Sequence, residues 1–203
     1  MGTNKAWLLV LCFICCWSSV VSQLVLEVIP TFDSTTRQRE ALVELAITQL
    51  KVREKTGHND GVEVERYLKS VDLRRGDAWC AAFISWLHIE KNIPNPESGY
   101  SPDWFRANVV YRRGEKRMTS FISKTGQVIG LYIESKGRIG HVGMIESENR
   151  LHYNTIEGNT NGAGSDEGDG VYRKIRKKET ISVISDFVGC KEYLEGVKQL
   201  KKK

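Results

Sequence analysis

The chain has 203 residues, 30 Lys and Arg against 25 Asp and Glu, a formal net charge of +5 and 40% hydrophobic residues. That length suits one domain with a substantial core and is short for two. The positive balance comes without zinc-finger spacing, a basic-region zipper or aromatic–basic interleaving, so no nucleic-acid partner is expected.

Residues 1–22 read as an export signal. Lys5 is a minimal positive start, Trp7 to Trp17 are the apolar stretch, and Val20 and Ser22 occupy the positions before a cleavage that leaves Gln23 first. The apolar run of about a dozen residues falls short of the ~20 that cross a bilayer. The expectation is therefore a secreted or periplasmic protein with no stable membrane insertion. Cleavage removes Cys12, Cys15 and Cys16 and leaves Cys80 and Cys190. These are two free thiols or, as the alternative, one bridge. The remainder, 23–203, is expected to be a single domain with its core at about 37–190.

Thr36 caps a predicted helix that continues to about residue 54, with Ala41, Leu42, Leu45, Ala46, Gln49 and Leu50 as its packed stripe. Polar and glycine residues at 56–61 interrupt the pattern, and a short helix over 62–71 buries Val62, Tyr67 and Leu68. Asp77 is the expected N-cap of a helix from residue 78 or 79 to about 91. Backbone N–H groups at that start point toward Cys80 and favour its thiolate. Pro94 and Pro96 end the pattern, and Ser101-Pro102-Asp103-Trp104-Phe105 opens a new capped helix with proline first inside it.

Beyond Gly114 the period becomes extended. Strands are predicted over 127–133, 139–145, 151–156 and 171–175, with another over 180–188, and a last helix over 192–200 precedes a frayed lysine tail. Helices followed by strands, without alternation, imply an α+β fold.

Cys80 is the candidate nucleophile because a thiol gains from a helix terminus and a neighbouring imidazole. The imidazole is His141, placed by Gly140-His141-Val142-Gly143 between glycines that are expected to leave space for substrate. A base needs an orienting group, and Glu157 and Asn159, two apart, face the same side of an extended strand. Either oxygen can accept the imidazole N–H, fix the tautomer and leave the other ring nitrogen for Cys80. His58, His88, His141 and His152 are scattered without a metalloprotease motif, so no metal or other cofactor is expected. The glycine- and oxygen-rich loop 158–170 reads as a mobile rim or flexible turn, with structural calcium as the alternative.

Taken together, Ala78-Trp79-Cys80-Ala81-Ala82-Phe83-Ile84-Ser85-Trp86, Ser101-Pro102-Asp103-Trp104, Gly140-His141-Val142-Gly143 and Glu157-Gly158-Asn159 resemble the CHAP group of papain-like peptidoglycan hydrolases and amidases. The likeness in order and context runs from about residue 59 to 159. It implies a papain-like α+β fold, with N-terminal helices and a nucleophile-bearing helix packed on an antiparallel β-sheet. It further implies Cys80 as nucleophile, His141 as general base and then acid, and Glu157 or Asn159 as orienter. The substrate it implies is peptidoglycan or its stem peptides, cut at the lactyl–peptide amide or within the peptide. The chain departs from the group at Gly126-Gln127, where Gly-Asp is common. The backbone N–H of Cys80 is one expected oxyanion donor, with Asn59 or Asp60 near the cleft. Trp79, Trp86 and Trp104 line a groove, support it, or simply pack the core. Basic runs at Arg112-Arg113, 173–178 and 198–203 suit a wall-associated anionic polymer or an ordinary solvated surface. The alternatives are a catalytically inactive secreted wall-binding domain and a disulfide-stabilised interaction module.

Overall fold

The computed structural model describes residues 34–115, 122–162 and 168–190. The predicted export signal, residues 163–167 of the glycine-rich loop and the predicted helix at 192–200 lie outside them. The chain divides into Met1–Ser34 and Thr35–Lys203. Of the first unit only Ser34, which opens a helix, is described, so the fold is that of the second.

Among the described residues three helices come first: α1 (Ser34–Thr48), α2 (Val62–Lys69) and α3 (Cys80–Glu90). A 3-10 turn at Ser101–Phe105 leads into β1 (Val109–Arg112), β2 (Val128–Ile133), β3 (Arg138–Glu148), β4 (His152–Thr160), β5 (Gly170–Lys177) and β6 (Val183–Ser185). The strands form one sheet in the order β1-β6-β2-β3-β4-β5, every neighbouring pair antiparallel. This is an α+β architecture, with N-terminal helices packed against a multi-stranded antiparallel sheet. Among the described residues no helix is long and apolar enough to cross a membrane.

Tertiary pairing shortens α1. The helical pattern was expected to reach residue 54, yet Val52 accepts the Val171 N–H (3.1 Å) and the Glu54 N–H donates to Asp169 O (2.7 Å). Residues 52–54 thus serve the start of β5. Leu42 and Ala46 of the predicted stripe are buried, and so is Arg39. Its guanidinium reaches both oxygens of Asp186 (2.9 and 2.7 Å) and Thr125 O (3.0 Å), which satisfies a charge that burial alone would expel. In α2 the buried positions are Val64, Tyr67 and Leu68, whereas Val62, expected inside, is 77% exposed. Val62 opens the helix and lies off the stripe that the other three define.

Helix α3 is apolar all round, and every residue from Cys80 to His88 is buried. Asp77 does not cap it. The helix begins at Cys80 with Trp79 in the cap position, and the Asp77 carboxylate accepts the Arg74 N–H (2.8 Å) to close the preceding turn. Ser101 likewise makes no cap bond to its 3-10 turn, whose cap position is Tyr100. Strand β1, which periodicity missed, pairs with the short β6; only three residues of the predicted 180–188 strand join the ladder.

Val128, Val142, Met144, Ile156, Val171 and Val183 form the main core with the helices, and Ile129, Ile145, Tyr153, Ile181 and Ile184 form a smaller cluster. One departure from regular pairing positions the site. The β3–β4 ladder runs from Glu148–Tyr153 to Met144–Ile156 and stops, after which β3 continues with β2 and β4 with β5. The start of α3 packs at this parting. A Cβ on Gly158 would stand 2.7 Å from the Trp79 ring and 2.9 Å from Phe83, so only glycine allows β4 this close.

Candidate active site

Cys80 is the first residue of α3 and is 6% exposed. Its sulfur lies 3.5 Å from Ser101 Oγ, and the His141 ring and the Val142 backbone both act on its ionisation. His141, on β3, donates from Nε2 to Glu157 Oε2 at 2.9 Å. The assignment of the proton to Nε2 follows from the partner, since an ionised carboxylate can only accept. The remaining ring nitrogen, Nδ1, is buried without a hydrogen-bond partner among the described residues, and Cys80 is the neighbour that acts on the ring beside Glu157.

Glu157, on β4, has no exposed surface. Its Oε1 accepts from Thr155 Oγ1 (2.5 Å) and Arg176 Nε (2.8 Å), and its Oε2 accepts from Arg176 Nη2 (2.5 Å) as well as His141. Burial pushes this carboxyl up, but the bonds from Arg176 and His141 outweigh it and hold it below the usual carboxylate range. Burial also opposes charge on both Cys80 and His141. Their mutual interaction reverses that, with Ser101 and Val142 assisting at the sulfur and Glu157 at the ring, so the thiol is lowered and the imidazole raised. The two titrate as a pair. The arrangement favours a thiolate beside an imidazolium, which can attack an electrophilic carbon and protonate a departing group.

Asn159 is brought to the other side of this cluster. Its backbone is left-handed (φ 53°), which ends the two-residue alternation that would have aligned it with Glu157. With its amide oriented to match the surrounding groups, Oδ1 accepts the Trp79 N–H (3.2 Å) and Nδ2 donates to Asn59 Oδ1 and Gly168 O, each at 3.1 Å. Of the two, Glu157 is therefore the one bonded to the imidazole. Asn159 instead anchors the residue before Cys80.

Of the expected groove residues, Asn59 lines a cavity with Glu54, Gly57, Asn161, Gly168 and Asp169, and Asp60, Trp79 and Trp104 are buried. Asn59 donates from its backbone to Glu54 Oε2 (2.9 Å) and from its amide to Gly76 O (3.1 Å). Asp60 is enclosed, and its carboxylate takes the Thr56 N–H (2.8 Å), Thr56 Oγ1 (2.9 Å) and Arg75 Nη2 (2.7 Å). Trp79 is fully buried against Tyr67 and Phe83, its indole N–H donating to Glu54 Oε1 (2.8 Å). Trp104 is fully buried against His88 and Phe187, and Trp86 is buried against Tyr67. These tryptophans pack the core and support the site from behind. The glycines beside His141 likewise make room for protein rather than substrate: a Cβ would stand 2.6 Å from Glu157 Cγ at Gly143 and 2.6 Å from Ile133 Cγ1 at Gly140.

Cys80 and Cys190 are both free, and the Cys190 thiol donates to Asp186 O (3.2 Å), so the bridge considered from sequence is not formed. Gln127, where the resemblance falters, bonds Asp186 Oδ2 (2.9 Å) and the Lys124 N–H (2.8 Å) away from the sulfur. Among the described residues no group of three or more His, Cys, Asp or Glu is arranged to hold a metal. Sequence reasoning missed Ser101, Thr155 and Arg176 as members of the cluster. By sequence Ser101 reads as a cap and Arg176 belongs to a basic run that reads as surface, whereas on a strand alternate residues face opposite sides of the sheet. Comparison of the chain with protein-family models, with curated proteins and with solved structures finds no match.

Proposed function

We propose that the chain is a secreted cysteine hydrolase of papain-like fold that cleaves an amide bond of peptidoglycan, as an N-acetylmuramoyl-L-alanine amidase or a wall endopeptidase. The observation that carries the reading is the buried line of thiol, imidazole and carboxylate at the start of α3, with Glu157 bonded to the ring nitrogen that Cys80 does not need. The wall substrate rests on the resemblance of the four short motifs to the CHAP group.

In this reaction Cys80 Sγ adds to the amide carbonyl, and the backbone N–H at the helix start bonds the oxyanion. His141 gives its Nδ1 proton to the departing amine as the C–N bond breaks, leaving a thioester. The neutral imidazole then takes a proton from water, whose oxygen attacks the thioester and releases the carboxylate product, and the Cys80–His141 ion pair returns. Glu157 keeps the ring in one tautomer throughout. Much of the basic run 173–178 is already engaged, Arg173 with Glu146 and Lys178 with Glu148, which argues against an anionic wall polymer as the main attraction.

The test is digestion of purified peptidoglycan by the chain lacking residues 1–22 and by its Cys80→Ala variant, under reducing conditions, with mass analysis of released fragments. Fragments from the first protein alone are expected. An unchanged wall with both proteins removes the hydrolase assignment, and equal wall binding by both without cleavage establishes a binding domain instead.

A further inference from the structure

If Cys80, His141 and Glu157 are the working site, a thiolate, an imidazolium and a carboxylate leave one negative charge uncompensated among residues that are each at least nine-tenths buried. Such a charge is normally removed by uptake of a proton. Arg176 is the group that cancels it. It arises from β5, where Tyr172, Lys174 and Arg176 share the sheet face of Glu157, Thr155 and Tyr153 across the ladder. Its guanidinium grips both carboxylate oxygens, Nε on Oε1 at 2.8 Å and Nη2 on Oε2 at 2.5 Å, and its side chain is mostly buried. A planar fork fixes the plane of the carboxylate as well as its charge.

We propose that Arg176 is a positioning residue of the site: by binding both oxygens of Glu157 it aims the acceptor at His141 and supplies the positive charge that lets Cys80 and His141 persist as an ion pair at neutral pH. This rests on the hydrolase reading of the same cluster. The other charged or titratable groups around it do not substitute. Lys174 donates to Asn161 O (2.6 Å) and influences Glu157 only at longer range. The Tyr153 ring lies under the Lys178 ammonium (4.9 Å), which is itself bonded to Glu148. Facing His141 from β2 is the apolar Leu131, and the 3-10 turn contributes the neutral Ser101.

The proposal is tested without any substrate by the rate of Cys80 alkylation with iodoacetamide from pH 4 to 10, followed by peptide mass mapping so that Cys190 does not interfere. In the wild type the acid limb, where thiolate forms, is expected well below the ordinary thiol value. Arg176→Met should raise that limb by about one unit or more and slow alkylation at pH 6 about tenfold. Arg176→Lys, which keeps the charge and loses the fork, should leave the limb near wild type. The double variant Glu157→Gln with Arg176→Met cancels charge again and should return the limb toward wild type. If the single variant fails to fold and the double variant folds with a low limb, charge balance is equally supported. An Arg176→Met profile lying on that of the wild type, or a double variant that keeps the raised limb or also fails to fold, overturns the proposal. A wild-type limb at the ordinary thiol value would instead remove the ion pair, and with it the hydrolase reading.

Discussion

Protonation of the buried His88 is expected to lower stability in mild acid. The residue is fully buried in α3, with Nδ1 bonded to Ile84 O (2.8 Å), no partner at Nε2, and Trp104 and Phe187 packed around the ring. Burial, which the bond to Ile84 and the more distant Asp186 only partly offset, lowers its pKa from 6.5 to about 4. The unfolded chain thus takes up a proton at higher pH than the folded one, and stability declines as pH falls from the unfolded value through the folded value. From these two values the loss at pH 5 relative to pH 7 is about 2 kcal/mol, approaching about 3 kcal/mol below pH 4. Other groups titrate over the same range, so the measurement is a difference between the wild type and His88→Leu. Leucine costs the bond to Ile84 and some packing at every pH but cannot protonate. Urea unfolding followed by tryptophan fluorescence should show the wild-type midpoint dropping by about 1 M more than that of the variant between pH 7 and pH 5. A difference that stays constant across that interval would refute the argument, because it would mean that His88 keeps an ordinary affinity for protons in the fold.

Gly143→Ala places a methyl 2.6 Å from Glu157 Cγ. It should cost about 1–3 kcal/mol in thermal unfolding and reduce both amide hydrolysis and Cys80 alkylation at pH 6 by displacing the carboxylate. Glu157→Gln and Asn159→Ala separate orienting from anchoring. The first should lower hydrolysis by more than about tenfold and change the pH dependence of alkylation. The second should lower stability by about 1–3 kcal/mol through the lost bond to Trp79 N–H while leaving the pH profile in place. Cys190→Ser should change stability by less than about 0.5 kcal/mol. Thiol titration of the unreduced, denatured chain lacking residues 1–22 should find both remaining cysteines free, and a result of none would establish the bridge.

Much of this protein is legible from local pattern. The largely apolar run of α3 and the later change to strand periodicity are properties of neighbouring residues, and the α+β order follows from them. Elements end less legibly, because α1 stops where residues 52–54 pair with β5, far along the chain. The site shows the same division. That His141 needs a carboxylate or amide partner is readable from residue types, and two candidates stood two residues apart. Which of them meets the ring was decided by a left-handed backbone at Asn159 and by the register that carries Arg176 to Glu157. The glycines around His141 were visible as a motif, yet what fills the space they leave is Ile133 and Glu157. Residue chemistry and periodicity are set within a few positions along the chain. The pairing of a buried charge depends on which distant strands come to lie side by side, and only the folded sheet determines that.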